Sequence, residues 1–347
     1  MERGEKTEIV LEYIRNGIKS GKWDNSLLPK ELELAEMLSV SRWSVRNAFA
    51  HLLAEGIIER KKRLGTKLNM ENLRHTLIGA VLRSSGHFYE DVYRHLQQKV
   101  TAAGFRLQSV DVYGFDKPKM RKHIRRGISS LAYLNEDKMI LDGYIFRAYP
   151  YVDELLKKSP VFFDFFDAAR PAGATGVLID YYEIGRIGGK YLLDCGCKHP
   201  MLLNISGATP KNRHIPEVYA CHKDKRVFDG YYDVLKEYGL DPMLYIYDSS
   251  DTKNLYEIFS DRRSQPDGVF SALDINTMHI LKIARECGYM PKYSLGCFDT
   301  PWSKGLGDFE FPSITVPAEE CASALLEQVL TPKELRKDIY IKPYLKG

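Results

Sequence analysis

Cysteine is scarce in this chain and is scattered along it. Six cysteines occur in 347 residues, and Cys195-x-Cys197 is the only close pair, a spacing that matches neither a zinc site nor a disulfide framework. No apolar run approaches the roughly 20 residues that a membrane-spanning helix needs. The charged residues after Met1 lack the apolar stretch of a secretory signal. The sequence therefore predicts reduced thiols, no membrane segment and a cytoplasmic location.

Motifs for catalysis are also missing. The sequence contains no phosphate-binding GxxxxGKS/T loop, no HExxH metal motif and no GxSxG nucleophile turn. The glycine-rich stretch from Gly185 to Gly189 falls inside a helical pattern, which indicates close helix packing in preference to a phosphate cradle. No nucleophile is paired with a base. We therefore expect no enzyme activity, no catalytic residue, no metal and no cofactor.

Length and composition are those of a globular protein with more than one domain. Hydrophobic residues make up 44% and charged residues 28% of the 347 residues, which is ordinary for two or three folded domains. The formal net charge of +4 says little about nucleic acid by itself. The basic run from Arg60 to Arg63 indicates more closely where an anionic partner would bind.

The first 69 residues predict three helices followed by a β-hairpin. Apolar residues recur at helical spacing over 7–20, 30–38 and 41–55. Ser41 is suited to cap the third helix, and Gly56 to end it in a left-handed conformation. Two short strand-like segments, 57–60 and 66–69, flank a basic tip. This order predicts a winged helix-turn-helix, in which the third helix enters the major groove of DNA.

The same segment resembles the winged-helix domain of GntR-type transcription regulators. The resemblance is carried by Leu28-Pro29-x-Glu31, Leu34-Ala35, Val40-Ser41-Arg42, Val45-Arg46, Leu53-x-Glu55-Gly56-x-Ile58 and Gly65-Thr66. It implies that DNA is contacted by the residues at the family's contact positions, which here are Ser41, Arg42, Ser44, Arg46 and Gly65.

Two positions beside Glu31 depart from the family pattern. The family usually has Ser or Ala before this glutamate and Arg after it, whereas this chain has Lys30 and Leu32. Leu32 removes a common contact with phosphate or base, and Lys30 is expected to replace part of it. Trp43, on the reading helix, is expected to meet a thymine methyl or a sugar edge.

The other cations of this segment divide into two roles. Lys61, Lys62 and Arg63 are expected to contact phosphates, which position a protein on DNA without reading its sequence. Arg42 is the best candidate for reading a guanine. The alternative is that these cations are only solvated surface charges. DNA binding is favoured because the cations, the helix cap and the wing occur together.

From Thr76 onward, predicted strands and helices alternate. Residues 77–82 form a continuous apolar run typical of a buried parallel strand, and 89–103 have the spacing of an amphipathic helix. Another strand is predicted over Gly143–Phe146 and a short helix over Asp153–Lys158. Two consecutive series of this kind predict an α/β fold with two doubly wound lobes.

This second part resembles the effector domain of LacI/GalR-type repressors, which is similar to periplasmic sugar-binding proteins. The resemblance is carried by Pro266-Asp267-Gly268-Val269-Phe270, Gly288-Tyr289-x-Pro291, Leu295-Gly296-x-Phe298-Asp299 and Pro312-Ser313-Ile314-Thr315-Val316-Pro317. Together with the GntR-like segment, it is similar to the arabinose-repressor branch. It implies a small ligand in a cleft at the carboxyl ends of the strands, where open α/β sheets bind ligands.

These resemblances imply boundaries for the domains. They are a winged helix over 1–69, a linker over 70–75 and a two-lobed effector domain over 76–347. Lobe 1 is expected at about 76–163 and 300–330, and lobe 2 at about 164–299 plus the C-terminal strand.

A sugar is bound by planar hydrogen bonds from Asp, Asn and Arg and by an aromatic face. The ligand positions of the family correspond here to Arg83, Ser84, His87, Phe88, Asp167, Arg226, Asp274 and Asp299. Leu273 replaces a common Asn, and Phe165 replaces a common Asp, so that Asp164 or Asp167 must substitute.

Several of these residues have structural alternatives. Asp274 is also suited to cap the following helix, Asp299 to anchor the hinge between the lobes, and Arg83 to pair with a neighbouring carboxylate. His87 is a single histidine in a loop, for which exposure to solvent is an equal alternative to ligand contact.

The two resemblances imply a ligand-responsive transcription regulator, and most simply a repressor of a sugar-utilisation operon. We expect a homodimer that binds double-stranded operator DNA, with one winged helix on each half-site, and a small sugar-like effector. Two alternatives remain open: an activator of the same architecture, and a solute-binding protein without a DNA function.

Overall fold

The structure is a computed structural model of the chain. It describes residues 3–19, 22–23, 27–62, 64–83, 86–112, 122, 124–129, 131, 138–143, 159–164, 173–204, 223–241, 246–248, 252–263, 265–298 and 309–346. None of the helices in these ranges is long and apolar enough to cross a membrane. The cysteines within the same ranges form no disulfide with one another.

The N-terminal part forms the predicted winged helix. Its elements are α1 (Arg3–Lys19), α2 (Glu31–Met37), α3 (Arg42–Ala54), β1 (Ile58–Lys61) and β2 (Gly65–Leu68). The two strands pair antiparallel, with Ile58 opposite Leu68 and Lys61 opposite Gly65. The predicted order of three helices and a hairpin is therefore confirmed.

The core of this domain is built from the apolar faces of its helices. Its members with 0% exposure include Val10, Ile14, Leu34, Val45 and Leu52. Ser41 caps α3, because its hydroxyl accepts a hydrogen bond from the backbone N–H of Ser44 at 3.1 Å. Gly56 has a φ of +67°, a conformation that glycine adopts without a steric penalty, and there the chain turns into the wing.

The segment expected as a linker is helical. Met70–Thr76 form α4, and the side-chain oxygen of Asn69 accepts a hydrogen bond from the backbone N–H of Asn72 at 3.2 Å. The side-chain amide of Asn72 donates to the carbonyl oxygen of Gly56 at 2.8 Å. The chain that leaves the winged helix is therefore fastened to the turn at the end of α3.

The chain divides into two compact units. Unit 1 comprises Met1–Ser85, Tyr93–Phe163 and Leu325–Lys337, and unit 2 comprises Gly86–Val92, Asp164–Ala324 and Asp338–Gly347. The winged helix thus belongs to the same unit as the first strands of the α/β part.

The α/β part of unit 1 contains a parallel sheet. Its strands are β3 (Leu77–Leu82), β4 (Arg106–Asp111), β5 (Met139–Asp142) and β6 (Val161–Phe163), and α5 (His87–Ala102) connects β3 to β4. Their order is β4–β3–β5–β6, with every neighbouring pair parallel. Every residue of β3 and β5 is buried, as expected for a parallel sheet with both faces covered.

Unit 2 contains a second, larger series of strands and helices. Its elements are β7 (Thr175–Ile179), α6 (Tyr181–Asp194), β8 (Pro200–Asn204), α7 (Lys223–Glu237), β9 (Ile246–Asp248), α8 (Thr252–Ser260), β10 (Gly268–Ser271), α9 (Asp274–Glu286), β11 (Tyr293–Cys297), β12 (Ser313–Thr315), the first half of α10 (Ala318–Leu330), β13 (Ile339–Ile341) and β14 (Tyr344–Lys346). Six strands have the order β14–β12–β11–β10–β8–β9, in which only β14 is antiparallel to its neighbour. β13 pairs in parallel with β7.

Two expectations about this region differ from the structure. A strand lies at Met139–Asp142, directly before the one predicted over Gly143–Phe146, and Gly143 is helical, while 144–146 lie outside the described residues. β12 lies in unit 2, although lobe 1 was expected to include it, because Ser313 pairs with Gly296 of β11. The helix predicted over 153–158 lies outside the described residues.

Helices α6 and α7 pack closely against each other where glycines face the partner helix. A Cβ atom added to Gly185 would lie 2.0 Å from the carbonyl oxygen of Val227, and one added to Gly230 would lie 2.0 Å from that of Tyr182. A side chain has no room at either position. The prediction that the glycine-rich stretch serves close helix packing is confirmed.

Candidate DNA interface and effector site

The candidate DNA interface includes the N-terminal end of α3. Ser41 is exposed, and its hydroxyl lies 2.9 Å from the hydroxyl of Ser44. Ser44 is only 2% exposed. The Ser44 hydroxyl therefore belongs to the helix cap, and a contact between Ser44 and DNA stays a prediction.

Other residues expected at the DNA do lie on the surface. Lys30 and Arg42 are exposed, Trp43 is 55% exposed, and the side chain of Arg46 is 63% exposed. The backbone N–H of Lys30 donates to the carboxylate of Glu33 at 3.0 Å, at the start of α2. Because Arg42 and Arg46 are four residues apart in a helix, they lie on one face of α3.

The wing adds cations and an open turn. Lys61 and Lys62 are exposed, whereas Arg63 lies outside the described residues. Gly65 has a φ of +99°, and a Cβ atom there would meet nothing within 4 Å. The glycine therefore serves the turn, and the space around it leaves room for a partner to approach the backbone.

Two carboxylates lie among these cations. Glu31 binds Arg46 through Nε at 2.9 Å and Arg60 through Nη2 at 3.0 Å. On the wing, Glu59 lies 3.0 Å from the ammonium group of Lys67, and this hydrogen bond raises the pKa of Lys67. The surface therefore carries fewer uncompensated positive charges than its count of Lys and Arg indicates.

Arg83, a candidate effector ligand, is bound to a buried carboxylate in unit 1. Its Nε lies 2.6 Å from Oδ2 of Asp142, and its backbone N–H donates to the same oxygen at 3.2 Å. Asp142 is the last residue of β5 and is 0% exposed. The pairing alternative for Arg83 is thus what the structure shows, and it fixes the guanidinium at the carboxyl end of the sheet.

A buried carboxylate with two tyrosine partners lies in unit 2. Asp164 is 2% exposed and has a φ of +52°, which is uncommon for a residue other than glycine. Its Oδ2 accepts hydrogen bonds from the hydroxyls of Tyr89 at 2.6 Å and Tyr181 at 3.1 Å. Asp164 was one of two residues expected to replace an aspartate of the family pattern.

Phe88 and His87 occupy the start of α5. The Phe88 side chain is buried, and its ring centroid lies 5.2 Å from those of both Tyr89 and Phe298. Nε2 of His87 lies 3.2 Å from the carboxylate of Asp91, one helical turn further on. Phe88 therefore packs in an aromatic cluster, and His87 is held beside it at the surface.

The remaining ligand candidates differ strongly in burial. Asp274 is 1% exposed, and its Oδ1 accepts a hydrogen bond from the hydroxyl of Ser313 at 2.9 Å. The N-cap of α9 is Leu273, so Asp274 is not the capping residue. Arg226 is exposed on α7 and forms no ion pair with another described residue. The candidates outside the described residues are Ser84, Asp167 and Asp299.

A buried hydroxyl lies close to Asp274 in sequence. Ser271 ends β10 and is 0% exposed, and within the part of the chain that the structure describes its Oγ has no hydrogen-bond partner. An unsatisfied buried hydroxyl is unusual in folded proteins. Ser271 and Asp274 are therefore both buried polar residues at the carboxyl end of this sheet.

Comparison with known proteins decides the class of the N-terminal domain. Residues 6–68 match the model of the family described as bacterial regulatory proteins, gntR family. They form a GntR-type winged-helix domain. HTH-type transcriptional repressor NagR of Bacillus subtilis is 34% identical over 71 residues, which are 20% of this chain and 29% of NagR. HTH-type transcriptional regulator GgaR of Escherichia coli K12 is 36% identical over 59 residues, 17% of this chain and 24% of GgaR.

Solved structures resemble a much larger part of the chain than the GntR-type domain. A LacI transcriptional regulator from a Rhodococcus species has a TM-score of 0.58 at 14% identity, covering 78% of this chain and 96% of that one. The transcriptional regulator CelR in complex with cellobiose has 0.57 at 14% identity, covering 92% and 99%. A LacI family regulator from Lactobacillus casei with bound sucrose has 0.54 at 15% identity, covering 78% and 98%. The part after the GntR-type domain therefore has the two-lobed α/β fold of these regulators.

The sequence did not reveal several polar contacts in both parts. In the GntR-type domain, Glu31 matches the family pattern, but no local pattern indicates that it pairs with Arg46 and Arg60. In the α/β part, Asp142 carried a usable signal, because it directly follows the apolar run of a strand. The Asp164–Tyr89 pair spans 75 residues of sequence and gave no such signal.

Proposed function

We propose that this protein is a DNA-binding transcription regulator whose affinity for its operator responds to a small sugar-like effector. One observation carries this proposal. A GntR-type domain with exposed Arg42 and Arg46 on its reading helix stands in one chain with the α/β fold of LacI-type regulators.

The DNA part is supported by the distribution of charge. Arg42 and Arg46 lie on one face of α3, and Lys61 and Lys62 lie exposed on the neighbouring wing. We assign base reading to the α3 arginines and phosphate contact to the wing lysines. Ser41, Trp43, Ser44, Lys30, Arg63 and Gly65 remain proposed contacts.

The effector part is supported by polar groups at the carboxyl ends of the strands. Arg83 with Asp142, Asp164 with its two tyrosines, and Asp274 with Ser313 offer hydrogen-bonding partners for a polyol. Two of the similar solved structures contain cellobiose and sucrose. We propose a neutral sugar or sugar derivative for this chain as well, with Ser84, His87, Phe88, Asp167, Arg226 and Asp299 as further candidate ligands.

The regulator is proposed to act in the cytoplasm as a homodimer and a repressor, with two GntR-type domains on two half-sites. NagR, similar to this chain over its N-terminal part, is described as a transcriptional repressor. Effector and operator sites are coupled if effector binding changes operator affinity, and a coupling of about 1–3 kcal/mol gives about a 5- to 150-fold change.

The DNA part is tested with the full chain and a library of random duplexes. Repeated selection should enrich one sequence, and Arg42→Ala with Arg46→Ala should weaken binding to it by about a hundredfold. Arg262→Ala with Arg263→Ala is the matched control, because these two exposed arginines lie outside the GntR-type domain. Equal loss in both double variants would contradict the assignment.

The effector part is tested separately with neutral sugars, sugar phosphates and nucleosides. A bound compound should raise the melting temperature by mass action and change affinity for the selected duplex. If a compound stabilises the protein without changing its affinity for the duplex, the protein binds a solute but does not respond to it at the DNA, which contradicts the proposal. Transcription from a promoter carrying the selected duplex distinguishes a repressor from an activator.

A further inference from the structure

A carboxylate stands between two cations of the candidate DNA interface. Oε2 of Glu31 lies 2.9 Å from Nε of Arg46, and its Oε1 lies 3.0 Å from Nη2 of Arg60. The Glu31 side chain is 22% exposed, compared with 63% for Arg46 and 55% for Arg60. One carboxylate therefore joins the start of α2, the reading helix α3 and the wing strand β1.

We propose that Glu31 is a specificity-determining residue of this interface. It holds the guanidinium groups of Arg46 and Arg60 in place, and it lowers the affinity of the surface for phosphates alone. The inference rests on the proposed function, because it assumes that α3 reads DNA.

The hydrogen bonds that Arg46 leaves unused support the first half of this role. A guanidinium has five N–H donors, and Arg46 uses only Nε toward Glu31. Its two terminal nitrogens have no partner among the described residues. A guanidinium fixed in this way loses less conformational freedom when it binds a guanine edge through two parallel hydrogen bonds.

Electrostatics supports the second half. Exposed ion pairs typically add only about 0–1 kcal/mol to stability, so folding alone gives little reason for a carboxylate here. Against DNA, Glu31 repels any phosphate that approaches Arg46 or Arg60. Random DNA offers these arginines mainly phosphates, whereas the correct sequence also offers a base edge. The carboxylate therefore penalises random DNA more than the correct sequence.

The test compares two duplexes of equal length with the full-length protein. One is the sequence that the wild-type chain selects from a random library, and the other is a random mixture. Glu31→Gln retains the shape of the side chain and removes its charge. We expect its affinity for the random mixture to rise about fivefold and its ratio of selected to random affinity to fall by about fivefold or more.

Glu36→Gln is the matched control. Glu36 is an exposed residue of the same helix that forms no ion pair with another described residue, so the change in net charge is identical. It should leave the ratio of selected to random affinity unchanged. Glu31→Asp retains the charge but shortens the side chain, and it should lower the ratio without raising affinity for the random mixture.

A double-mutant cycle identifies the partner. Once Arg46→Ala is present, Glu31→Gln should change the ratio much less than it does in the wild-type chain. The inference is overturned if Glu31→Gln and Glu36→Gln have equal effects, or if Glu31→Gln weakens both duplexes by one factor. A wild-type chain that enriches no sequence would instead overturn the proposed function. Melting curves of each variant verify that it is folded.

Discussion

The side-chain amide of Asn72 donates a hydrogen bond of 2.8 Å to the carbonyl oxygen of Gly56, and so α4 is joined to the turn that ends α3. The guanidinium of Arg106, at the start of β4, donates to the neighbouring carbonyl oxygen of Glu55. Burial lowers the pKa of Arg106, and the Glu55 carboxylate, which Arg15 also binds at 3.1 Å, opposes that shift. The GntR-type domain is therefore fastened to the first sheet at the end of its reading helix.

Replacing Asn72 should loosen this junction. Asn72→Ala leaves the Gly56 carbonyl without its side-chain donor, and we expect a loss of about 1 kcal/mol in the free energy of unfolding. Urea denaturation measures the change. Asn47→Ala is the control, since Asn47 lies in α3 and makes no side-chain hydrogen bond to another described residue. Equal effects of the two variants would show that the bond to Gly56 does not stabilise the junction.

The wing lysines should contribute to affinity without contributing to specificity. Lys61→Ala and Lys62→Ala each remove an exposed cation, and each should flatten the dependence of log affinity on log salt concentration by about one unit. Selected and random duplexes should weaken by the same factor, because phosphates carry no sequence information. Filter binding across a salt series measures both quantities. A fall in the ratio of selected to random affinity would contradict a purely phosphate-binding wing.

The winged helix was predictable because its local signals agree with one another. The cap at Ser41, the glycine at Gly56 and the helical spacing of apolar residues all specify the same boundaries. The burial of the Ser44 hydroxyl, by contrast, is not evident from the sequence. A family position indicates where a residue lies in the fold, but it does not tell whether the hydroxyl faces the solvent or the helix cap.

A different reason applies to β5, for which the sequence indicated a strand over Gly143–Phe146. Two short apolar runs, Met139–Leu141 and Tyr144–Phe146, lie on either side of Asp142 and Gly143, and either run has the composition of a strand. The first run is a strand in the structure, in which Met139 pairs with Gly79 of β3 and Ile140 pairs with Val161 of β6. Residues 144–146 lie outside the described residues. The position of β5 depends on strands distant in sequence, as the ion pairs of Glu31 depend on distant residues. No local pattern therefore reveals either of them.

The crossing of α6 and α7 should not tolerate a methyl group at Gly185. In an exposed helix, alanine would be favoured over glycine by about 1 kcal/mol, but here its Cβ would meet the Val227 carbonyl oxygen at 2.0 Å. We expect Gly185→Ala to reduce the free energy of unfolding by about 2 kcal/mol or more. Gly239→Ala is the control, with a φ of +73° and nothing within 4 Å of its Cβ, and it should cost about 1 kcal/mol. A stable Gly185→Ala protein would contradict the close crossing.

The tyrosine hydroxyls on Asp164 should matter for stability. Tyr89→Phe removes a donor at 2.6 Å from a carboxylate that is 2% exposed, and a hydrogen bond to a charged group contributes about 1.5–3 kcal/mol. Tyr181→Phe, at 3.1 Å from the same oxygen, should have a smaller effect. Tyr344→Phe is the control, because Tyr344 is 50% exposed. Thermal denaturation measures the three variants. A melting temperature lowered as much by Tyr344→Phe as by the other two would contradict a stabilising role for the hydroxyls of Tyr89 and Tyr181.

The two cysteines of the Cys195-x-Cys197 pair should differ in reactivity. Cys195 is exposed, whereas Cys197 is buried with its Sγ 2.9 Å from the carboxylate of Asp267. Burial, and then the hydrogen bond to Asp267, raise the pKa of the Cys197 thiol. Because a raised pKa keeps the thiol protonated as the pH increases, iodoacetamide should modify Cys195 and spare Cys197 from pH 7 to pH 9 (roughly the range around an ordinary thiol pKa).

Fragment masses of the alkylated protein distinguish the two sites, and Cys195→Ser should remove the early modification. Asp267→Asn removes the negative charge beside Cys197, lowers the thiol pKa and should make Cys197 react at lower pH. Cys297, which is 0% exposed, reports general opening of unit 2 and should stay unmodified in every sample. If Cys197 in the wild-type chain reacts as fast as Cys195 while Cys297 remains protected, the thiol is not held in its protonated form.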